Sequence, residues 1–325
     1  TSLRVVEAEM QLRDLLSAAT PDSEPEYPNL SEVTAGLSVE LVAGQREAAA
    51  AIASTDPLVV VEGAAGSGKT SMLAAALQAS QLEGRSVRVV APTKRAAQVA
   101  QDELGVSADS VASLVHAHGW RWNSDGVWTR LQPGQADPET GTTYQGPSKA
   151  AQLRKGERIV VDEAGMLDQD TALALLKIAA ESGATIALVG DRAQLSAVGR
   201  GGVLEMAAEA RGRVFDMAEV HRFTNPEYAD LTIQMRDRTN PAVIFDQLNR
   251  LSLIQLHTNQ EQLSETVTST LSDGEVLTVA SNEEAARLNE TIRANLVESG
   301  LVDDTATTVG SDGLPIGFGD LIQTR

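Results

Sequence analysis

The sequence predicts an α/β protein built on a parallel sheet, and three observations carry that prediction. Short, almost wholly apolar runs recur: LVVVEG (58–63), SVRVVAP (86–92), RIVVDEA (158–164) and TIALVGD (185–191). Stretches of helical spacing alternate with them, including TSMLAAALQASQLEG, KRAAQVAQDELG and DTALALLKIAAESG. A glycine-rich turn, GAAGSGKT, stands between the first strand and the first of these helices. Strands apolar along their length must be buried on both faces, and a parallel sheet covered by helices on either side provides that.

Taken in order, residues 2–19 place Leu3, Val6, Ala8, Met10, Leu12, Leu15 and Leu16 at helical spacing. A Pro-, Glu- and Ser-rich stretch, ATPDSEPEYPNLSE (19–32), reads as a linker, so residues 1–35 form an N-terminal helix and linker. The α/β rhythm of the first domain covers 36–214. It is interrupted at 119–153 by a turn-rich insertion that holds all three tryptophans and reads as β-hairpins. A second strand–helix rhythm, from RVFDMAEVHRF through SLIQLH to EVLTVASNEEAARLNETIRANLVESG, fills 215–325 and reads as an incomplete second domain.

Composition narrows the function. The 325 residues allow about two or three domains. With no cysteine, disulfides, thiolate metal sites and cysteine nucleophiles are excluded. No apolar run approaches the ~20 residues of a membrane-spanning helix, and no signal-peptide pattern is present, so a cytoplasmic location is the plain reading. The net charge of −19 argues against a generic basic coat for nucleic acid but not against a local basic groove. The chain begins without Met and ends just after an apolar run, GFGDLIQTR, so a piece of a longer protein is expected.

Gly63-Ala64-Ala65-Gly66-Ser67-Gly68-Lys69-Thr70 satisfies G-x-x-x-x-G-K-[ST] in full, with a strand before it and a helix after it. Its backbone N–H groups and the helix N-terminus, including Ser71, are suited to a nucleotide's phosphates. Lys69 is expected on the β- and γ-phosphates and the Thr70 hydroxyl on Mg²⁺, which makes ATP and Mg²⁺ the expected cofactors. Asp162 and Glu163 end a buried strand, where a parallel sheet presents its ligands. Asp162 is expected in the Mg²⁺ shell and Glu163 beside the attacking water. Gln194, in GDRAQL after the next strand, can bond the γ-phosphate or that water.

Together these motifs resemble superfamily 1 helicases of the RecD branch. Along the chain, GQREAA (44–49) resembles the adenine-reading segment, with Gln45 as reader, and APTKRAA (91–97) the segment that contacts single-stranded DNA. SVASLVH (110–116), VDEAGM, GDRAQLSAVGRGG and MAEVHRF (217–223) follow in family order. The resemblance implies two RecA-like domains, with Arg222 reaching across their cleft to the γ-phosphate. It implies DNA contacts from Pro92, Thr93, Lys94, Arg95 and Ser113, and movement 5′→3′. The match is best with the helicase part of TraA/TraI-type conjugative relaxase–helicases. That implies a relaxase domain in the same chain and the conjugative secretion machinery as partners. Two further motifs of the family are not in this sequence. The alternative reading is therefore a catalytically weak single-stranded-DNA-binding or partner-docking module, and a RecD-like repair helicase is a further one.

Other signals admit two readings. Trp120, Trp122 and Trp128 suit the small core of the insertion or a base-stacking platform. Lys94 and Arg95 suit a solvated helix start or a phosphate contact. His116 and His118 lack the clustered ligands of a zinc site. Tyr27, Tyr144 and Tyr228 are too scattered for a tyrosine nicking centre, so no nicking is expected of this chain.

Overall fold

Strand β1 (Leu58–Gly63) is buried at every position, and its side chains alternate between two separate cores. Leu58 and Val60 face one, and Val59 and Val61 the other. The computed structural model describes residues 3–322 except 22, 31–32, 34–39, 65, 124, 195–198, 218–224, 272–274 and 311–312. Five strands join β1 in one sheet: β2 (Val87–Ala91), β3 (Ala108–Ser110), β6 (Arg158–Val161), β7 (Thr185–Gly190) and β8 (Phe215–Met217). Their order is β3-β2-β6-β7-β1-β8, and every pairing is parallel.

Helices 3–18, 111–117, 169–182 and 203–211 contribute to one core and helices 43–52 and 69–82 to the other. The helix Gln169–Ser182 shows how closely local chemistry follows sequence: Asp168 caps its start by accepting from the Thr171 N–H, and Gly183 ends it with a left-handed φ of 66°. The two compact units of the chain are residues 1–244 and 245–325.

Three features depart from the sequence reading. The N-terminal helix expected within residues 1–35 is present as Leu3–Ala18, but the segment is packed into the first domain. Leu12 and Leu16 are fully buried against helices 169–182 and 203–211, and Leu30 and Val33 enter the second core. The boundary expected at 214/215 does not fall there either, because β8 pairs with β1 and the helix Pro226–Arg236 lies in the first unit. Within 245–325, the stretches 253–257 and 275–279 form no ladder. A strand needs a partner to satisfy its backbone, and among the described residues of this unit pairing is confined to the antiparallel hairpin β9 (Asp303–Val309) with β10 (Pro315–Phe318). The helix expected after 281 is present as Asn282–Glu298.

Among the described residues the insertion contains one hairpin, β4 (Trp120–Trp122) with β5 (Trp128–Arg130), and an isolated bridge between Ala136 and Thr143. Trp120 and Trp128 pack against the first core, whereas Trp122 stacks on Trp128 at 4.8 Å and is 37% exposed. A buried ion pair of 2.7 Å joins Arg121 to Asp137, and Arg121 also donates to the carbonyls of His116 and Trp120. These contacts anchor the insertion to the body of the fold.

The amino edge of the sheet is closed by Arg158, which is 3% exposed. Its guanidinium donates to the carbonyls of Ile186, Ser54 and Asp56 at 3.0, 2.9 and 2.7 Å. Burial pushes its pKa down to about 10, so it remains charged at neutral pH. We expect Arg158→Leu to lower unfolding free energy by about 2–4 kcal/mol, because buried carbonyls lose their donor. Urea denaturation of the two chains measures the difference, and a shift within 0.5 kcal/mol, the usual range for ~neutral surface changes, would contradict it.

Candidate active site

Because every strand of the sheet runs the same way, four functional loops leave one edge. After β1 comes the glycine-rich loop. Gly68 caps the helix Lys69–Leu82 with φ 78°, a left-handed conformation open to glycine, and a Cβ there would run into the side-chain amide of Gln45. Gln45 is buried and ties two elements together. Its Nε2 donates to the Ser67 carbonyl at 2.8 Å, and its Oε1 accepts from the Val42 N–H at 3.0 Å. Gly63, Ala64, Gly66, Ser67, Lys69, Thr70 and Ser71 thus lie on one turn and the first turn of one helix, with Ala65 outside the described residues.

After β6, Asp162 and Glu163 face this loop. Lys69 Nζ lies 3.2 Å from Glu163 Oε1. Glu163 itself has φ 54°, a left-handed conformation that costs a non-glycine residue on the order of 1 kcal/mol. Strain of this kind is typical of functional turns, and here it accompanies a carboxylate turned toward Lys69. The Asp162 carboxylate accepts from the Glu163 N–H at 3.0 Å.

One partner was not visible in the motifs. The Thr70 hydroxyl donates to Glu103 Oε2 at 2.7 Å, from the helix Lys94–Leu104. Glu103 stands 33 residues from Thr70 in sequence, on the exposed face of an amphipathic helix, so no local signal marks it.

After β7, the turn Asp191–Gln194 packs against the turn that follows Glu163. A Cβ on Gly165 would meet the Asp191 carbonyl at 2.7 Å, and one on Gly190 would meet the Gly165 nitrogen at 2.8 Å. Only glycines allow the two loops this approach. Gln194 reaches back to Asp191 Oδ2 at 3.3 Å. Residues 195–198 and Arg222 lie outside the described residues.

After β2, Pro92 leads to Thr93, which caps the helix Lys94–Leu104 by accepting from the Ala96 N–H. Lys94 and Arg95 are exposed on its first turn. Ser113 is held locally, donating to Asp109 at 2.7 Å. His118 is buried with Nε2 3.0 Å from the Ala151 carbonyl, and no group of three or more His or acidic side chains among the described residues is arranged to hold a metal.

The parallel sheet, the phosphate loop at its carboxyl edge and the acidic strand end facing it define a P-loop NTPase fold of RecA-like type. The family model described as "AAA domain" (AAA_30) matches residues 40–259, and the chain belongs to that family. It is 24% identical over 280 residues to "Probable conjugal transfer protein TraA" of Sinorhizobium fredii (strain NBRC 101917 / NGR234), covering 83% of this chain and 22% of that protein's length. Among solved structures it is similar to Bacteroides sp Pif1 in complex with ADP-AlF4, with a TM-score of 0.50, 16% identity, and coverage of 83% of this chain and 59% of that one. At that identity the likeness is one of fold.

The electrostatics of this edge yield a test. Burial, then the neighbouring Glu163 charge, raises the Asp162 pKa above its ordinary value, with a smaller push from Glu103, while Lys69 and the Glu163 N–H oppose it. A carboxylate whose folded pKa is raised contributes stability below its unfolded pKa and loses it as pH rises through the folded value. Asp162→Asn keeps the acceptor for the Glu163 N–H and removes the charge. The ligand-free Asn variant should therefore melt higher than the parent at neutral pH, with the gap closing as pH falls toward the ordinary carboxylate range. Thermal melts across pH check it, and a gap that widens on acidification would contradict the assignment.

Proposed function

We propose that the chain is the ATP-hydrolysing motor part of a DNA helicase that moves on single-stranded DNA, within a larger conjugal-transfer protein. The observation that carries the reading is the pairing of Lys69 with Glu163 across the carboxyl edge, beside Thr70 and Asp162. The loop fits a polyphosphate: glycines let the backbone close on it, and the Ser67 hydroxyl is buried without a partner. A divalent cation also fits. Asp162, Glu163 and Glu103 oppose one local cation, Lys69, and Mg²⁺ is commonly held by one or two carboxylates plus substrate phosphates rather than by an all-protein cage. Thr70 and Asp162 would hold it, and when bound it neutralises charge on the phosphates.

In this reading Lys69 leaves Glu163 for the phosphates, which frees the Glu163 carboxylate to take a proton from the attacking water. Gln194 and Arg222 contact the γ-phosphate, and Gln45 adds base contacts to its hold on the loop. The exposed Lys94 and Arg95, with Pro92, Thr93 and Ser113, lie at the strand-grip surface, where phosphate contacts position a strand without reading sequence. We propose further that movement is 5′→3′ and that a relaxase domain and a secretion apparatus are partners, as the sequence resemblance to conjugative relaxase–helicases implies. No helix among the described residues is long and apolar enough to cross a membrane.

The test is ATP turnover with and without single-stranded DNA, on this chain and on the longer protein that contains it. We expect turnover to depend on Mg²⁺ and to rise with DNA in the longer protein. Lys69→Ala should lower it about a hundredfold or more, the scale seen when one charge-stabilising donor is lost. DNA binding by this chain without turnover would assign it the binding-module role. Turnover indifferent to both DNA and Lys69→Ala would overturn the motor reading.

A further inference from the structure

Two carboxylates lie almost fully buried at the carboxyl edge and take no part in the chemistry above. Glu62 is 5% exposed and Asp191 3% exposed. They end the neighbouring strands β1 and β7, where Glu62 is in register with Gly190. Glu62 immediately precedes the phosphate loop, and Asp191 opens the turn that carries Gln194. Two like charges this close and this dry require cations. Arg192 supplies one, to Glu62 alone. Arg236 supplies another and, among the described residues, is the group that bridges both. Its Nη2 donates to Glu62 Oε1 at 3.0 Å, and its Nε lies 3.1 and 3.2 Å from the two Asp191 oxygens. It sits in the last turn of the helix Pro226–Arg236, at the end where a positive charge is favoured.

Asp191 is the hub of the turn. One of its oxygens accepts from the Ala193 N–H at 2.9 Å and the other from the Gln194 side chain at 3.3 Å. Its carbonyl is pressed against Gly165, in the turn after Glu163. The helix that bears Arg236 is capped by Asn225, which in sequence directly follows the segment 218–224 that contains Arg222. We infer that Arg236 is a positioning residue for γ-phosphate recognition: its guanidinium locks the Gln194 turn to the phosphate loop through Asp191 and Glu62, and ties both to the helix that follows Arg222. The inference rests on the nucleotide reading above and adds to it the residue that sets the geometry without touching the nucleotide.

A lysine cannot replace this fork, because its point charge does not present donors to two carboxylates in fixed directions. The consequence is a change in nucleotide discrimination. On that reading ADP does not reach the Gln194 turn, whereas a γ-phosphate does. The experiment is equilibrium binding of a fluorescent ADP and of a non-hydrolysable fluorescent ATP analogue, with Mg²⁺, to the 325-residue chain. In Arg236→Gln the preference for the ATP analogue should fall about tenfold, within the range by which residues linking two sites act. ADP affinity should stay within about twofold, since the phosphate loop is intact. Arg236→Lys should recover less than half of the loss. In the Glu62→Gln/Asp191→Asn background, changing Arg236 should have little further effect, because the groups it acts through are already neutral.

An unchanged preference in a folded Arg236→Gln chain overturns the inference. So does an effect that persists undiminished in the neutralised background, which would place Arg236 on the nucleotide itself. If Arg236→Gln does not fold, Arg236→Lys carries the test, and wild-type discrimination in that variant overturns it. Failure of the underlying reading looks different: the unsubstituted chain would bind neither nucleotide, or Lys69→Ala would bind both as well as the parent.

Discussion

The constraint on which the rest of the structure depends is the parallel register of β1 with β7 and of β2 with β6. Pairing Glu62 with Gly190 sets Asp191 beside the start of the phosphate loop. Pairing Val90 with Val161, continued by the Asp162 N–H donating to the Val90 carbonyl, brings the acidic strand end level with the loop after β2. A one-residue slip would reverse which core each side chain enters, so burial on both faces holds the register. The site is thus assembled by apolar packing well below it, and its polar groups do not have to find each other unaided.

That arrangement lets the carboxyl edge carry charges that would be unfavourable elsewhere. Asp162, Glu163 and Glu103 crowd one lysine, and the resulting rise in the Asp162 pKa records the repulsion. Beside them Glu62 and Asp191 are matched by Arg192 and Arg236. The first group is incompletely neutralised and the second is balanced. In a buried setting an incomplete balance favours a ligand that completes it, whereas a balanced cluster favours rigidity. The two clusters therefore divide the tasks of holding something transient and holding the fold around it.

Much of this was legible in the sequence because it is local. The apolar runs gave β1, β2, β6 and β7 close to their true limits, and the phosphate loop follows from eight consecutive residues. Glu163 and Gln194 stood out in the sequence because they follow strands, and the structure places both at the carboxyl edge. What the sequence did not disclose is partnership. Leu12 and Leu16 mark an amphipathic helix, but nothing in their spacing says that it docks on 169–182 and 203–211. Phe215–Met217 is too short to declare which sheet it joins. Glu103 and Arg236 act over 33 and 174 residues, on Thr70 and Glu62, and a charged residue on a helix reads as solvated until its partner is known. The stretch 275–279 erred in the other direction, since β-propensity reports suitability for a ladder and not the presence of a neighbour.

The two edges of the sheet now have contrasting chemistry with a common logic. β6 begins at Arg158 and ends just before Asp162. At the amino edge, both terminal nitrogens of Arg158 donate to backbone carbonyls, and both carboxylate oxygens of Asp56 accept from Nη2 of Arg211 at 2.8 and 2.9 Å. The terminal donors of these two arginines are already used within the fold. At the carboxyl edge, Lys69 and Thr70 are held by carboxylates, Glu163 and Glu103, that a polyphosphate oxygen can replace as acceptors. The exchange conserves the number of charge-assisted bonds while changing which loop each side chain is tied to. A chain built this way can alter the connections among its upper loops on ligand binding without disturbing the core beneath, which is the mechanical property a nucleotide-driven motor requires.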